Sequence, residues 1–429
     1  MVEITNLSSV GIGTYRMGIE DRIHFDALHT AVKHGYNLID TATNYSRGES
    51  EVLIGQFIQQ YPEYSKQLFI VSKAGYIPSK NLQTKAFAGF LEQNVAEIAV
   101  IENDFEYSLD PNFIAYQLEN SLRKLNREYI DVYLLHNPER YLQSKNLNSP
   151  TQLYQSITKA FELLEEKVEE GKIRYYGVSS NCMFNPQAKG AIDCARLLEI
   201  AASIRNKHHF KFIQFPFNFK EKMALEMHYD KQSLLAFAKD NGLITIGNRP
   251  LNMNENGFEF RLVTHEKELS DLNAIAAKAC IELFLKEVNQ RVAKLTNGES
   301  KGSDFEPIQL LEKYYTNFKS KGAVDAFFAA QMNPFLTTIF EEDWQQFEPM
   351  LNELHRYTVL YALQAQTNKT RQFLAALEEE GTSIKENSVL TACHAYLNES
   401  LLDHVLVGLR KPAYVLALNG EFNRVMSMS

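Results

Sequence analysis

The stretch His34-Gly35-Tyr36-Asn37-Leu38-Ile39-Asp40 joins the tail of an amphipathic segment to a short apolar run, with a glycine at the join. Glycine tolerates the left-handed backbone that closes a helix, so the stretch reads as helix, cap, strand. The same punctuation recurs at Glu170-Gly171-Lys172, which leads into 173–179, and at Asn241-Gly242-Leu243, which leads into 244–247. A helix that hands over directly to a buried strand is the repeating step of a β/α protein.

Working outward from these joins, strand-like runs fall at 10–14, 37–41, 68–73, 130–136, 173–179, 212–217, 243–248 and 404–409. Helical patterns separate most of them. The best marked begins at Asp110-Pro111, an N-cap followed by proline at the first helical position, and places Ile114, Leu118, Leu122 and Leu125 on one face. Eight short buried strands alternating with helices point to an α/β fold, a (β/α)8 TIM barrel. Two spacings are too long for simple connections. Extra residues lie around 76–108, and a long stretch rich in Glu, Lys, Leu, Ala and Phe precedes the last strand. The second is expected to be a mostly α-helical insertion between strands 7 and 8, with helices near 269–292, 344–366 and 370–380 and the seventh barrel helix within it. The barrel would then comprise 1–252 and 401–429, and the insertion 253–400.

The chain has 429 residues, 45% of them hydrophobic and 23% charged, a composition that folds. Its 44 Lys plus Arg against 53 Asp plus Glu give a net charge of −9, which disfavours general attraction to nucleic acid or anionic membrane. Cys182, Cys194, Cys280 and Cys393 show no CxxC spacing, so neither a disulfide framework nor a zinc site is indicated. The first residues lack a leader pattern and no apolar run reaches the length of a membrane span, so the expected location is the reducing cytoplasm.

In such a barrel the C-terminal ends of the strands converge on one mouth, where active sites are built. Strand 2 ends at Asp40, with Tyr45 shortly after; strand 3 ends at Lys73 and strand 4 at His136. Taken singly, Asp40 reads as a helix cap, Tyr45 as one of 21 tyrosines, and His136 as a satisfied core histidine. Lys73 is more telling, because a lysine closing an apolar strand must find a carboxylate or shift its pKa. An acid, a phenol, an amine and an imidazole meeting in one mouth outweigh the separate explanations.

The segment Gly35-Tyr36-Asn37-Leu38-Ile39-Asp40-Thr41-Ala42 with Tyr45, then Phe69-Ile70-Val71-Ser72-Lys73, then Ile130-Asp131-Val132-Tyr133-Leu134-Leu135-His136, resembles the aldo-keto reductase superfamily. Gly171 to Ser179 and Ile213-Gln214 are similar to that family's fifth and sixth strands, and the resemblance returns at 404–419. It implies an NAD(P)H-dependent oxidoreductase that reduces a small aldehyde or ketone to an alcohol, or runs the reverse oxidation, without a metal. Tyr45 would give its proton to the carbonyl oxygen while Lys73 lowers the phenol's pKa. Asp40 would hold Lys73 charged, and His136 would hydrogen-bond the carbonyl oxygen.

On the same resemblance, Ser179 and either Ser180 or Asn181 would hold the nicotinamide carboxamide, with Gln214 as the third member. Asn248, followed by Arg249, stands where the family commonly places a stacking aromatic. The basic residues that clasp an adenosine 2′-phosphate would fall near Gly408 and Tyr414, which carry no charge, while Arg410 and Lys411 lie between them as substitutes. Thr14 and Tyr15 would face cofactor and substrate, and NADP(H) is expected over NAD(H). Tyr15, Tyr76 and Asn137 are further lining candidates. Gly11-Ile12-Gly13 followed by Gly18 lacks the spacing of a Rossmann fingerprint. A second reading is a catalytically weak barrel that serves as a binding or regulatory module, with a protein partner or self-association through the helical insertion. A metal-dependent barrel hydrolase would need more histidines and carboxylates at strand ends than Asp40 and His136.

Overall fold

The computed structural model describes residues 2–102, 105–147, 149–229, 231–255, 258–379 and 401–426. Eight parallel strands close into a barrel in chain order: β1 (Val10–Gly13), β2 (Leu38–Asp40), β3 (Phe69–Ala74), β4 (Ile130–His136), β5 (Ile173–Ser179), β6 (Phe210–Pro216), β7 (Ile244–Asn248) and β8 (His404–Val407). β8 pairs with β1, Val405 opposite Val10, and so completes the ring. The helices α1 (Arg22–Lys33), α2 (Glu49–Gln60), α3 (Pro111–Leu125), α4 (Pro150–Glu169), α5 (Cys194–Ile204) and α6 (Leu234–Asp240) alternate with the first seven strands. The fold is the (β/α)8 barrel expected from the runs. Gly35, Gly171 and Gly242 sit at φ 87°, 73° and 64°, the left-handed conformation their positions demand.

Side chains alternate in and out along each strand, and this alternation builds the site. Leu38, Phe69, Val71, Val132, Leu134, Phe212, Ile246 and Leu406 point inward and pack as one apolar cluster. Two residues further along their strands, in the same inward phase, come Asp40, Lys73, His136, Gln214 and Asn248. The barrel is thus oily in its lower part and polar at its C-terminal mouth. At Gly177 any Cβ would stand 1.8 Å from the Phe212 carbonyl oxygen, so only glycine lets β5 and β6 approach as they do. The outward phase, including Ile39, Ile70, Tyr133 and Ile213, packs under the helices in the larger core.

The extra residues after β3 form a three-stranded antiparallel sheet of Tyr76–Ile77, Ala99–Glu102 and Phe105–Tyr107, with a helix at Lys85–Asn94. The chain divides into two compact units, Met1–Phe260 with Leu390–Ser429, and Arg261–Val389. In the second unit α7 (Ala274–Leu295), α8 (Glu306–Tyr314), α9 (Lys321–Phe327), α10 (Asn333–Phe340) and α11 (Trp344–Glu379) surround a core that includes Phe284, Val288, Leu311, Val324 and Met332. α11 runs unbroken for 36 residues, where the sequence leads one to expect two helices. The junction Thr367-Asn368-Lys369-Thr370 contains no glycine or proline. Its two threonines turn inward, and their hydroxyls accept hydrogen bonds from the backbone of His265 (3.1 Å) and Val263 (3.2 Å). Residues 380–400, which hold the expected end of the insertion, lie outside the described residues. The last helix, α12 (Pro412–Met426), packs on α1 and completes the first unit. Among the described residues no helix is long and apolar enough to cross a membrane.

Candidate active site

Lys73 is the hub of the mouth. Its ammonium is fully buried and lies 2.7 Å from both carboxylate oxygens of Asp40. It also donates to the Thr41 carbonyl (2.9 Å) and to the Tyr45 hydroxyl oxygen (3.1 Å). Burial by itself disfavours both charges, lowering the Lys73 pKa and raising that of Asp40. The two-oxygen contact keeps the pair ionised, helped by Gln214, whose amide donates to Asp40 Oδ1 at 2.7 Å. Tyr45 sits on a tight turn in which Ser46, Arg47 and Gly48 all take positive φ. That turn brings the phenol back over Lys73.

The sequence leads one to expect that Lys73 lowers the Tyr45 pKa. The structure reverses this. Burial first, and then the charge of Asp40, push the phenol well above its ordinary 10.0. Lys73 is already neutralised by Asp40, so little net positive field remains to favour a phenolate. His136 is buried across the mouth, its ring 5.8 Å from that of Tyr45 and nearly perpendicular to it. Burial, followed by Lys73 and Arg140, holds the imidazole well below its ordinary 6.5, so it is neutral at neutral pH. Its Nδ1 is buried and makes no hydrogen bond. Tyr76 stands edge-on to His136 at 4.9 Å, and Tyr15, largely exposed, edge-on to Tyr45 at 5.1 Å.

The residues expected on the cofactor side occupy neighbouring strand ends. Ser179 Oγ donates to Gln214 Oε1 (3.1 Å), and the Asn248 amide donates to the same oxygen (3.3 Å). Asn248 Oδ1 is buried without a partner. Ser180 is buried, and its hydroxyl accepts from the Cys182 backbone, whereas Asn181 lies at the rim between Asn137 and Arg249. Thr14 does not face the mouth freely. It is fully buried, and its hydroxyl donates to the Asp40 carbonyl (2.8 Å) and meets Ser50 (2.6 Å), so it props up Asp40. Gly408, Arg410 and Lys411 lie together between β8 and α12. Gly408 and Lys411 are exposed, and no ion pair engages Arg410 or Lys411 among the described residues.

The profile of the aldo/keto reductase family matches residues 9–283. The chain belongs to the aldo/keto reductase family. It is 29% identical over 182 residues to an NADH-specific methylglyoxal reductase of Escherichia coli, covering 41% of this chain and 48% of that protein. It is 27% identical over 245 residues to the aldo-keto reductase YhdN of Bacillus subtilis, covering 56% and 57%. The chain therefore spans about half the length of the curated relatives it matches. Among solved structures, a glycerol dehydrogenase of Gluconobacter oxydans aligns with 97% of this chain and 86% of its own at 18% identity, with a TM-score of 0.47.

Around the mouth of this aldo/keto reductase family member stand residues and contacts that strand-end reading passes over. Ser72, adjacent to Lys73 but facing outward, donates to Glu51 Oε1 at 2.7 Å, and burial raises the Glu51 pKa. The Gln214 contact with Asp40 joins opposite sides of the barrel and leaves no mark in either local segment. Arg140 could have been found, because it lies in the short loop that follows His136 at the C-terminal end of β4, where lining residues belong.

Proposed function

We propose that this chain catalyses the nicotinamide-dependent reduction of a small aldehyde or ketone to an alcohol, or the reverse oxidation. The observation that carries this reading is the direction of one hydrogen bond. Lys73 donates to the Tyr45 oxygen, so the phenol's own proton is free to point into the mouth, beside a neutral imidazole. The raised pKa means that Tyr45 waits protonated, as a general acid must. Once the proton leaves, the phenolate oxygen is 3.1 Å from an ammonium that Asp40, Gln214 and the Thr41 carbonyl keep in place. His136 donates a hydrogen bond to the carbonyl oxygen and stabilises the charge that develops there. Thr14 acts one step back, by fixing the Asp40 backbone.

A bound nicotinamide supplies the hydride. Ser179, Ser180 or Asn181, Gln214 and Asn248 are the candidates to hold its carboxamide, with Arg249 at the rim. The buried, unpartnered Asn248 Oδ1 is an acceptor suited to an amide N–H, so these residues fit such a group. Arg410 and Lys411, beside the open backbone of Gly408, offer charge for an adenosine 2′-phosphate, and on that ground we favour NADP(H) over NAD(H). A reducing cytoplasm suits the free thiols of Cys182, Cys194 and Cys280.

The test is Tyr45→Phe. Loss of the acid should slow reduction of a small aromatic aldehyde by about 10²–10⁴-fold. NADPH binding, followed by the nicotinamide's fluorescence, should survive. A variant that keeps its rate, or a wild-type protein that binds neither NADPH nor NADH, overturns the reading.

A further inference from the structure

Arg140 is a half-buried cation that no carboxylate touches among the described residues. Its Nε donates to the Tyr76 hydroxyl at 3.4 Å and its Nη1 to Gln143 Oε1 at 2.6 Å, and the guanidinium lies 5.6 Å from the Phe105 ring. All three partners are neutral, and no carboxylate comes within ion-pair distance among the described residues. The neighbouring Glu139 favours the Arg140 charge through space but makes no contact with it. It is buried with Oε1 bound to the Asn181 backbone at 2.9 Å, its Oε2 makes no hydrogen bond, and burial raises its pKa. The contrast with Arg249, also at the mouth, is informative: that side chain has Glu221 at 3.6 Å and Asn181 at 2.8 Å. A cation taken partly out of water is normally paired. At Arg140 no carboxylate among the described residues stands within ion-pair distance, while the cation itself is held still.

The holding is specific. The Tyr76 hydroxyl also accepts from the Asn137 amide at 2.7 Å, and Asn137 takes a left-handed backbone (φ 56°) directly after His136. The Tyr76 ring that carries this hydroxyl is the ring that stands against His136. One tyrosine therefore bridges the imidazole and the guanidinium, its ring against the first and its hydroxyl against the second. Arg140 is also one of the charges that depress the His136 pKa, as its position requires.

We propose that Arg140 binds a carboxylate carried by the carbonyl substrate. The substrates of this site are then oxo-acids whose carbonyl and carboxylate stand at opposite ends of the molecule, one toward His136 and the other toward Arg140. This rests on the reading of the mouth as a carbonyl-reducing site. The guanidinium's fork offers a carboxylate two donors, and Tyr76 and Phe105 stand beside it.

The experiment compares 4-carboxybenzaldehyde with methyl 4-formylbenzoate, which share one ring framework and differ in charge; the ester's aldehyde is the more electrophilic, so a preference for the acid cannot come from electronic activation. In the full-length protein with NADPH, the acid should be preferred in kcat/KM by about tenfold or more, mainly through KM. Arg140→Met should bring the ratio of acid to ester close to one, and Arg140→Lys should restore part of it. Equal turnover of acid and ester by the wild type overturns the inference and leaves the proposed function standing. Equilibrium dialysis of 4-(hydroxymethyl)benzoate and benzyl alcohol against the NADP-loaded protein needs no turnover. Tighter, Arg140-dependent binding of the anion supports the inference even if hydride transfer is never seen, and equal or absent binding of the two overturns it.

Discussion

A neutral imidazole buried beside an ammonium makes the stability of this protein sensitive to acid. The His136 pKa lies well below its ordinary 6.5 because of burial, Lys73 and Arg140. Below 6.5 the unfolded chain takes up a proton at this residue that the folded protein refuses. Its contribution to stability is therefore complete above about pH 7 and is lost as the pH falls from there towards the depressed folded value, with a slope of at most about 1.4 kcal/mol per pH unit. Asp40 and Glu51, raised by burial, act in the opposite sense, so the effect must be read as a difference between two proteins. Urea denaturation of the wild type and of His136→Gln, at about pH 7.5 and about pH 5.5, should show the wild type losing more stability on acidification. Equal losses would mean that His136 is charged in the folded state. That Asp40, Lys73 and His136 share a mouth could be read from sequence, because each closes a run whose inward phase is fixed by alternation. The sign of the Tyr45 shift could not. It is set first by how deeply the turn at 45–48 buries the phenol and then by the charge of Asp40, and both depend on contacts between segments far apart in sequence.

The strands were readable for the same reason that their ends were. All eight runs are apolar, short and bounded, and each barrel strand lies within about two residues of its expected place. Two glycines of one strand connection show how differently the same residue can serve. Gly171 closes α4 at φ 73° with open space around it, so Gly171→Ala should cost about 1 kcal/mol of backbone strain and leave the barrel intact. Gly177 has no such freedom, since its added Cβ would meet a backbone carbonyl at 1.8 Å that cannot rotate away. Gly177→Ala should destabilise by about 3 kcal/mol or more, the upper end of overpacking, because β5 and β6 must part. Urea titration of the two variants gives the comparison, and a Gly177→Ala protein as stable as Gly171→Ala would mean that the strand pair yields easily. The unbroken α11 shows the opposite limit. Its buried Thr367 and Thr370 look like a polar break in a helical pattern, and only the backbone groups of Val263 and His265, far away in sequence, explain why the helix continues through them.

The two compact units have separate main cores among the described residues, and this has a thermodynamic consequence. Phe161 belongs to the core between barrel and helices, and Phe284 to the core of the helical unit; both are almost completely buried. Removing either ring deletes a large apolar side chain from a packed interior, which costs about 3–5 kcal/mol. If each core sustains its own cooperative unit, that cost falls on one unit alone, and a two-state description of the whole chain fails. Scanning calorimetry should then resolve two transitions, with Phe284→Ala lowering one and Phe161→Ala the other. NADPH affinity supplies a second readout. The cofactor candidates all lie in Met1–Phe260 with Leu390–Ser429, so saturating NADPH should raise the transition that Phe161→Ala lowers and leave the Phe284-sensitive one in place. A single transition shifted equally by both substitutions would show that the two cores melt as one, and that the helical unit contributes to the stability of the barrel that carries the site.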